Sequence, residues 1–278
     1  MKLTSNAYGK HKVRLSKINR HPDRHDFIEI SVDIELGGAF ESAYTDGDNS
    51  RVLPTDTIKN TVYALAKDHA LDSIEQFGLD LSAHYLQTVE WAESADIYIS
   101  QKKWSRMVFD DQPHHHAFVG GASERRTAHA IRTRDAVTLR GGFKELPVLK
   151  TTGSAFVGFF KDPFTVLPEE RDRIMATNIE AIWTYNDHTA DFNTAHQTIR
   201  TTLLNTFANH ESESVQHTLH EMGQDALTNC AAIDSIQMFM PNVHHFMFNL
   251  ERFGMENNND IFAPADEPHG YIEGTVSR

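Results

Sequence analysis

The chain has 278 residues, 40% hydrophobic and 23% charged, with a formal net charge of −13 at pH 7. This is the make-up of an ordinary globular protein, long enough for two modest domains or one large one. Such acidity disfavours nucleic acid and anionic membrane as partners, because both repel a negative surface. A bound anion therefore has to be held by local cations and oriented N–H groups. The single cysteine, Cys230, excludes an intrachain disulfide framework and a thiolate metal cluster. Met1-Lys2-Leu3-Thr4-Ser5-Asn6 leads into no signal-like apolar core, and no apolar run approaches the roughly 20 residues of a membrane span. A reducing, cytosolic setting is expected, and Val276-Ser277-Arg278 lacks the final Leu of a peroxisomal tripeptide.

In chain order, Val13 and Leu15 predict a first strand. Ile28, Ile30, Val32, Ile34 and Leu36 alternate as a second, and Gly37-Gly38 predicts a two-residue turn into a hairpin partner over Ala39 to Tyr44. From Pro54 to about Asp68 the period changes to helical, with Ile58, Val62, Leu65 and Ala66 on one face, and a second helix is predicted over about Leu71 to Leu86. Strands follow at Ala95 to Ser100 and near His116 to Val119.

The order then repeats. Strand-like runs cover Thr127 to Leu139, Leu146 to Thr152 and about Ile179 to Tyr185, helices about Phe192 to Ala208 and Ser212 to Cys230, and strands Ser235 to Met240 and His244 to Leu250. Two copies of strand-strand-helix-helix-strand-strand give an α+β architecture with helices on one face of an antiparallel sheet. The division is placed at Gly120 to Ser123, giving units 1–122 and 123–278. Glu169-Glu170-Arg171-Asp172 reads as a solvated turn, and Glu256 to Asp260 as an exposed loop.

Histidine is abundant, with 17 copies. His114-His115-His116 should alternate across a strand and so not converge on one ion. His217, His220 and Glu221 have helical spacing but no accompanying zinc motif. No metal site and no cofactor are expected. Val52-Leu53-Pro54-Thr55-Asp56 suits a helix start, which also offers N–H groups to an anion. Phe156 supplies an aromatic face and Arg173 an obligatory cation, the pair that a flat anionic heteroaromatic ring requires.

Leu146 to Phe159, continuing through Phe164 and Leu167 to Arg173, resembles the signature of urate oxidases (uricases). Tyr8-Gly9-Lys10 and Val52 to Thr61 resemble two further motifs of that family, as do Ser214-Val215-Gln216 and Pro241-Asn242-Val243-His244. The resemblance covers nearly the whole chain. It implies two tandem tunnelling-fold (T-fold) units that assemble into a barrel, as a homotetramer with active sites at subunit interfaces. It further implies oxidation of urate by O2 without a cofactor. Phe156 would stack on the purine, Arg173 and Gln216 would bind its edges, and the backbones of Asp56 and Val215 would complete the hydrogen bonds. Lys10, Thr55 and His244 would relay the proton, and Asn242 would hold O2 and then water. A charged hydrogen bond of about 1.5 to 3 kcal/mol exceeds stacking of about 0.5 to 1.5 kcal/mol, so Arg173 should outrank Phe156 in binding. A non-catalytic purine-binding protein and a metal-dependent pterin or purine hydrolase on the same fold are the competing readings.

Overall fold

The computed structural model describes residues 2–278, apart from the side chains of Ala122 and Asp266. The chain forms two compact units, one comprising the chain up to Phe143 together with Thr184–His196, the other Lys144–Trp183 with Gln197–Arg278.

In the first unit, strands β1 (Tyr8–Arg20), β2 (His25–Gly38), β3 (Ala92–Phe109) and β4 (Gln112–Thr133) lie side by side in that order. All three pairings are antiparallel. The alternating residues Val32, Ile34, Leu36, Ile97 and Ile99 all point inward and are fully buried. Each such side chain contributes roughly 1.5 to 3 kcal/mol when removed from water. Helices α2 (Thr55–Asp68) and α3 (Ile74–Thr88) cover that face, α2 against β1 and α3 against β3 and β4. They bury Ile58, Val62 and Ala66 from one helix and Ile74, Phe77, Leu81 and Tyr85 from the other. The Tyr85 hydroxyl donates to the Ile58 carbonyl (2.8 Å) and joins the two helices; burial pushes its pKa up.

The predicted hairpin over residues 37–44 does not form. β2 already pairs with β1 on one edge and β3 on the other, so no edge is left for a third partner, and Glu41–Thr45 closes into a short helix, α1. Gly37 and Gly38 serve close strand passage instead. A Cβ on Gly38 would stand 2.2 Å from the Trp91 carbonyl oxygen, and one on Gly37 2.6 Å from Ser94 Oγ.

Strands β5 (Val137–Lys150) and β6 (Met175–Tyr185) and helix α4 (Phe192–Asn209) each contribute residues to both units. In the second unit β6 neighbours β7 (Ile233–Phe239), and β7 pairs antiparallel with β10 (Glu273–Ser277). Helix α5 (Val215–Asn229) packs on β7 and β10. β8 (Asn242–Met247) pairs with both β6 and β9 (Phe262–Gly270). The other predicted helices and strands fall on observed elements, except that the single run read over Thr127 to Leu139 spans the end of β4, a bend and the start of β5; β9 and β10 were not anticipated. Strand-strand-helix-helix-strand-strand occurs as β1, β2, α2, α3, β3, β4 and again as β5, β6, α4, α5, β7, β10, with β8 and β9 inserted. The expected division at 122/123 lies within β4. Among the described residues no helix is long and apolar enough to cross a membrane.

One buried ion pair braces the first unit. Glu75, fully buried in the first turn of α3, accepts from Arg126 Nη2 (2.7 Å) and Nε (3.2 Å). Burial pushes the Glu75 carboxyl upward and Arg126 opposes it. Removing one member strands the other, at a cost of about 3 to 5 kcal/mol. Arg126→Met should therefore lower the urea midpoint strongly, and Glu75→Leu added to it should restore most of the loss.

Candidate active site

The second unit gathers three chain segments at one short stretch, residues 152–156. On one side, the Asp172 carboxylate accepts from the Thr152 hydroxyl (2.7 Å) and the Gly153 N–H (2.8 Å). The Arg173 N–H donates to the Ser154 carbonyl (2.8 Å), and Phe156 exchanges two backbone bonds with Glu170 (2.7 and 3.2 Å). On the other side, the Ser212 N–H donates to Gly153 O (3.0 Å) and the Ala155 N–H to Ser212 O (2.7 Å). A hydroxyl chain carries this link into α5. Thr218 Oγ1 donates to Ser212 Oγ (2.7 Å), which donates to the Ser214 carbonyl (2.9 Å). Ser214 caps α5, its hydroxyl accepting from the His217 N–H (3.1 Å), as Ser commonly does at that position. Val215 and Gln216 thus open the helix beside Phe156 and Arg173, where free N–H groups and the helix dipole favour an anion.

These residues line one cleft of about 410 Å³, together with Asn242 and His244. Asn242 is fixed by pairing with Thr177 of β6 and Gly270 of β9. His244, two residues on, reaches the same cleft across an irregularity in the β8–β9 register. The Arg173 guanidinium sits 5.3 Å from the Phe156 ring centroid, within cation–π range. Phe159 stacks on Phe156 as well, at 4.8 Å and 13°. Burial lowers the Arg173 pKa despite the nearby Glu170 carboxylate. Its Nε is buried without an acceptor, as are Ser154 Oγ, Thr177 Oγ1 and His245 Nδ1 without partners. Burial, and then the charge of Arg173, holds the His244 imidazole below its ordinary pKa.

Lys10, Thr55 and Asp56 belong to the first unit and form a group of their own. The Leu53 N–H donates to the Tyr8 hydroxyl (2.9 Å), fastening the approach to α2 onto β1. Lys10 is two residues further along the same strand face. Asp56 is held below the usual carboxylate range by the hydrogen bond and charge of Lys59, by Asn60, and by Lys10. α2 begins at Thr55 without a side-chain cap, so its first-turn N–H groups stay open. Both Thr55 and Asp56 are exposed.

A family model described as Uricase matches residues 6–131 and 139–273. The chain belongs to the uricase family. It is similar to the uricase of Arthrobacter globiformis, at 41% identity across 99% of this chain and 90% of that one. It is also similar to the uricase of Dictyostelium discoideum, at 34% identity across 99% and 97%. The crystal structure of the Arthrobacter globiformis uricase superposes with a TM-score of 0.95, covering 100% of this chain and 95% of that one. Membership in the uricases brings the tunnelling-fold architecture that the sequence motifs implied.

Phe156, Arg173, Val215, Gln216, Asn242 and His244 meet in one uricase cleft, whereas Lys10, Thr55 and Asp56 lie in the other unit. Glu170, His245 and Ile272 also line the cleft and were not anticipated. For Glu170 the only sequence signal was its place in the charged tract before Arg173. Asp172 in that tract is no merely solvated turn residue, because it fastens Thr152 and Gly153. The His114 and His116 rings lie 4.7 Å apart, as same-face neighbours do, but the adjacent His115 and His116 rings also approach to 5.4 Å, closer than strict alternation would bring them. His114 Nδ1 accepts from the Ala117 N–H (2.9 Å), bending the chain locally. Among the described residues no group of three or more His, Cys, Asp or Glu is arranged to hold a metal ion.

The state of His244 can be checked directly. Its imidazole should titrate below the ordinary value of 6.5, staying neutral at pH 7 and gaining a proton only as pH falls further. Histidine-ring NMR should show that midpoint, and Arg173→Met should move it upward, since the cation that disfavours protonation is gone. A midpoint above 6.5 in the parent protein would contradict the geometry.

Proposed function

We propose that this protein is a urate oxidase that converts urate, O2 and water to 5-hydroxyisourate and H2O2 without a cofactor, in purine catabolism. The observation that carries this reading is the convergence of Phe156, Arg173 and Gln216 on one cleft in a chain alike to uricases from end to end. Urate is planar, anionic and edged with carbonyl and N–H groups. Phe156 offers its face, Arg173 a charged fork, and Gln216 a paired donor and acceptor. The Val215 N–H at the start of α5 and the backbone of Asp56 complete the ring of partners.

Ground-state O2 is a triplet and does not add directly to a closed-shell purine, so urate has to be made electron-rich by loss of a proton. Lys10, Thr55 and His244 form the relay that takes it, and a neutral His244 is able to accept. An electron then passes from the substrate to O2, the pair recombines at C5, and peroxide leaves as water adds. Asn242 holds first O2 and then water above the ring.

The working assembly in this reading is a homotetramer in which Lys10, Thr55 and Asp56 of one copy complete the cleft of its neighbour. Phe160, Phe164 and Val166, on the loop between Phe156 and Arg173, are 90%, 87% and 95% exposed. Apolar side chains so open call for a covering surface, and a second copy of the chain supplies one. The protein acts in the cytoplasm, on urate and O2, with neither nucleic acid nor membrane as partner.

The decisive assay follows urate absorbance, O2 uptake and peroxide together in chelator-treated buffer. One O2 consumed and one H2O2 formed per urate is expected. Binding without turnover would favour the purine-binding alternative, and dependence on an added metal would favour the hydrolase. Lys10→Ala and Thr55→Ala should each lower kcat by about 10² to 10⁴-fold, the usual worth of general-base assistance. Full turnover in both variants would remove the relay.

A further inference from the structure

The neck of the loop that carries Phe156 and leads to Arg173 is closed by a carboxylate outside the cleft. Asp172 is exposed and does not line the cleft, yet it accepts from the Thr152 hydroxyl (2.7 Å) and the Gly153 N–H (2.8 Å). Gly153 turns through φ 72°, a left-handed conformation that glycine adopts without strain, and this aims its N–H at the carboxylate. Next along the chain, the Arg173 N–H donates to Ser154 O (2.8 Å). Residues 152–154 and 172–173 are thereby locked in one register, two residues from the aromatic ring and immediately beside the cation.

We propose that Asp172 is a positioning residue: by clamping Thr152 and Gly153 it holds Arg173 beside Phe156, its guanidinium 5.3 Å from the ring centroid, so that the two can take the edge and the face of the purine anion. This rests on the reading of the cleft as the urate site. The clamp touches neither the reacting atoms nor the proton relay. Its loss therefore loosens the site before substrate binds, and substrate then bears the cost of ordering it. The backbone bonds between Phe156 and Glu170 and between Arg173 and Ser154 do not depend on the carboxylate, so the fold survives without it. The effect falls on KM more than on kcat, because the same contacts serve ground state and transition state.

The test compares full-length variants by KM, kcat and thermal midpoint. Asp172→Ala should raise KM for urate about tenfold while kcat stays within about threefold. Asp172→Asn keeps an acceptor for the Gly153 N–H and a polar partner for Thr152, and should bring KM back to within about threefold of the parent. Thr152→Val, which removes half of the clamp, should give a smaller rise. An Asp172→Ala protein that is folded and keeps the parental KM overturns the proposal, as does one that loses kcat alone. Should Asp172→Ala not fold, an unchanged KM in Thr152→Val overturns it equally. Arg173→Met separates the two layers of the argument. If it keeps the parental KM, the reading of the cleft fails; if it raises KM sharply while Asp172→Ala does not, only the role of Asp172 fails.

Discussion

Asp172 and Ser212 grip the same few residues, 152–155, from opposite sides, and the cleft follows from that grip. One side delivers Arg173 and the other delivers the first turn of α5 with Val215 and Gln216, while Phe156 emerges from the gripped stretch itself. Three groups far apart in sequence become one surface through short polar contacts and not through a hydrophobic core. Such contacts fix direction as well as distance, which is what recognition of a planar ligand edge demands. The β8 strand adds Asn242 and His244 to the same cleft from a fourth segment, anchored independently on β6 and β9.

The electrostatics of the cleft run against those of the molecule. The chain carries a net −13, yet the cleft presents a half-buried guanidinium, an open helix start and an imidazole whose pKa is pushed down by burial and by that guanidinium. Desolvation strengthens the guanidinium and the helix start toward an anion, since charges removed from water interact through a lower effective dielectric. A lowered pKa suits the relay proposed for His244, for an imidazole already carrying a proton could not take another from substrate. In the proposed reading, attraction for an anion in an acidic protein is thus local, set by the guanidinium and the helix start.

The elements with a strong period were legible in the sequence. α2 announces itself by helical spacing from Pro54 and β2 by strict alternation, while the helical runs read from about Leu71, Phe192 and Ser212 fall on α3, α4 and α5, whose caps Ser73 and Ser214 only the structure marks. Gly37-Gly38 misled because a glycine pair marks a tight turn and a close strand passage equally well, and only the pairing of β2 on both edges distinguishes them. β9 escaped because Pro264 and Pro268 break its pattern, and β10 because it is short and mostly polar. Phe156, Arg173, Gln216, Asn242 and His244 were found through motif resemblance, and the structure brings them together. Asp172 was passed over because a carboxylate within a run of charges looks like a solvated surface until its hydrogen-bond partners are known, and those lie nineteen and twenty positions away.

The most direct measurement is a crystal structure of the full assembly with urate bound under anaerobic conditions, so that the substrate persists. The purine should stack on Phe156 with Arg173 and Gln216 at its edges, and Thr55 from an adjoining copy should lie within hydrogen-bonding reach. Urate bound away from Phe156 and Arg173 would contradict the cleft, and urate held there with no second copy nearby would contradict its completion by a neighbour.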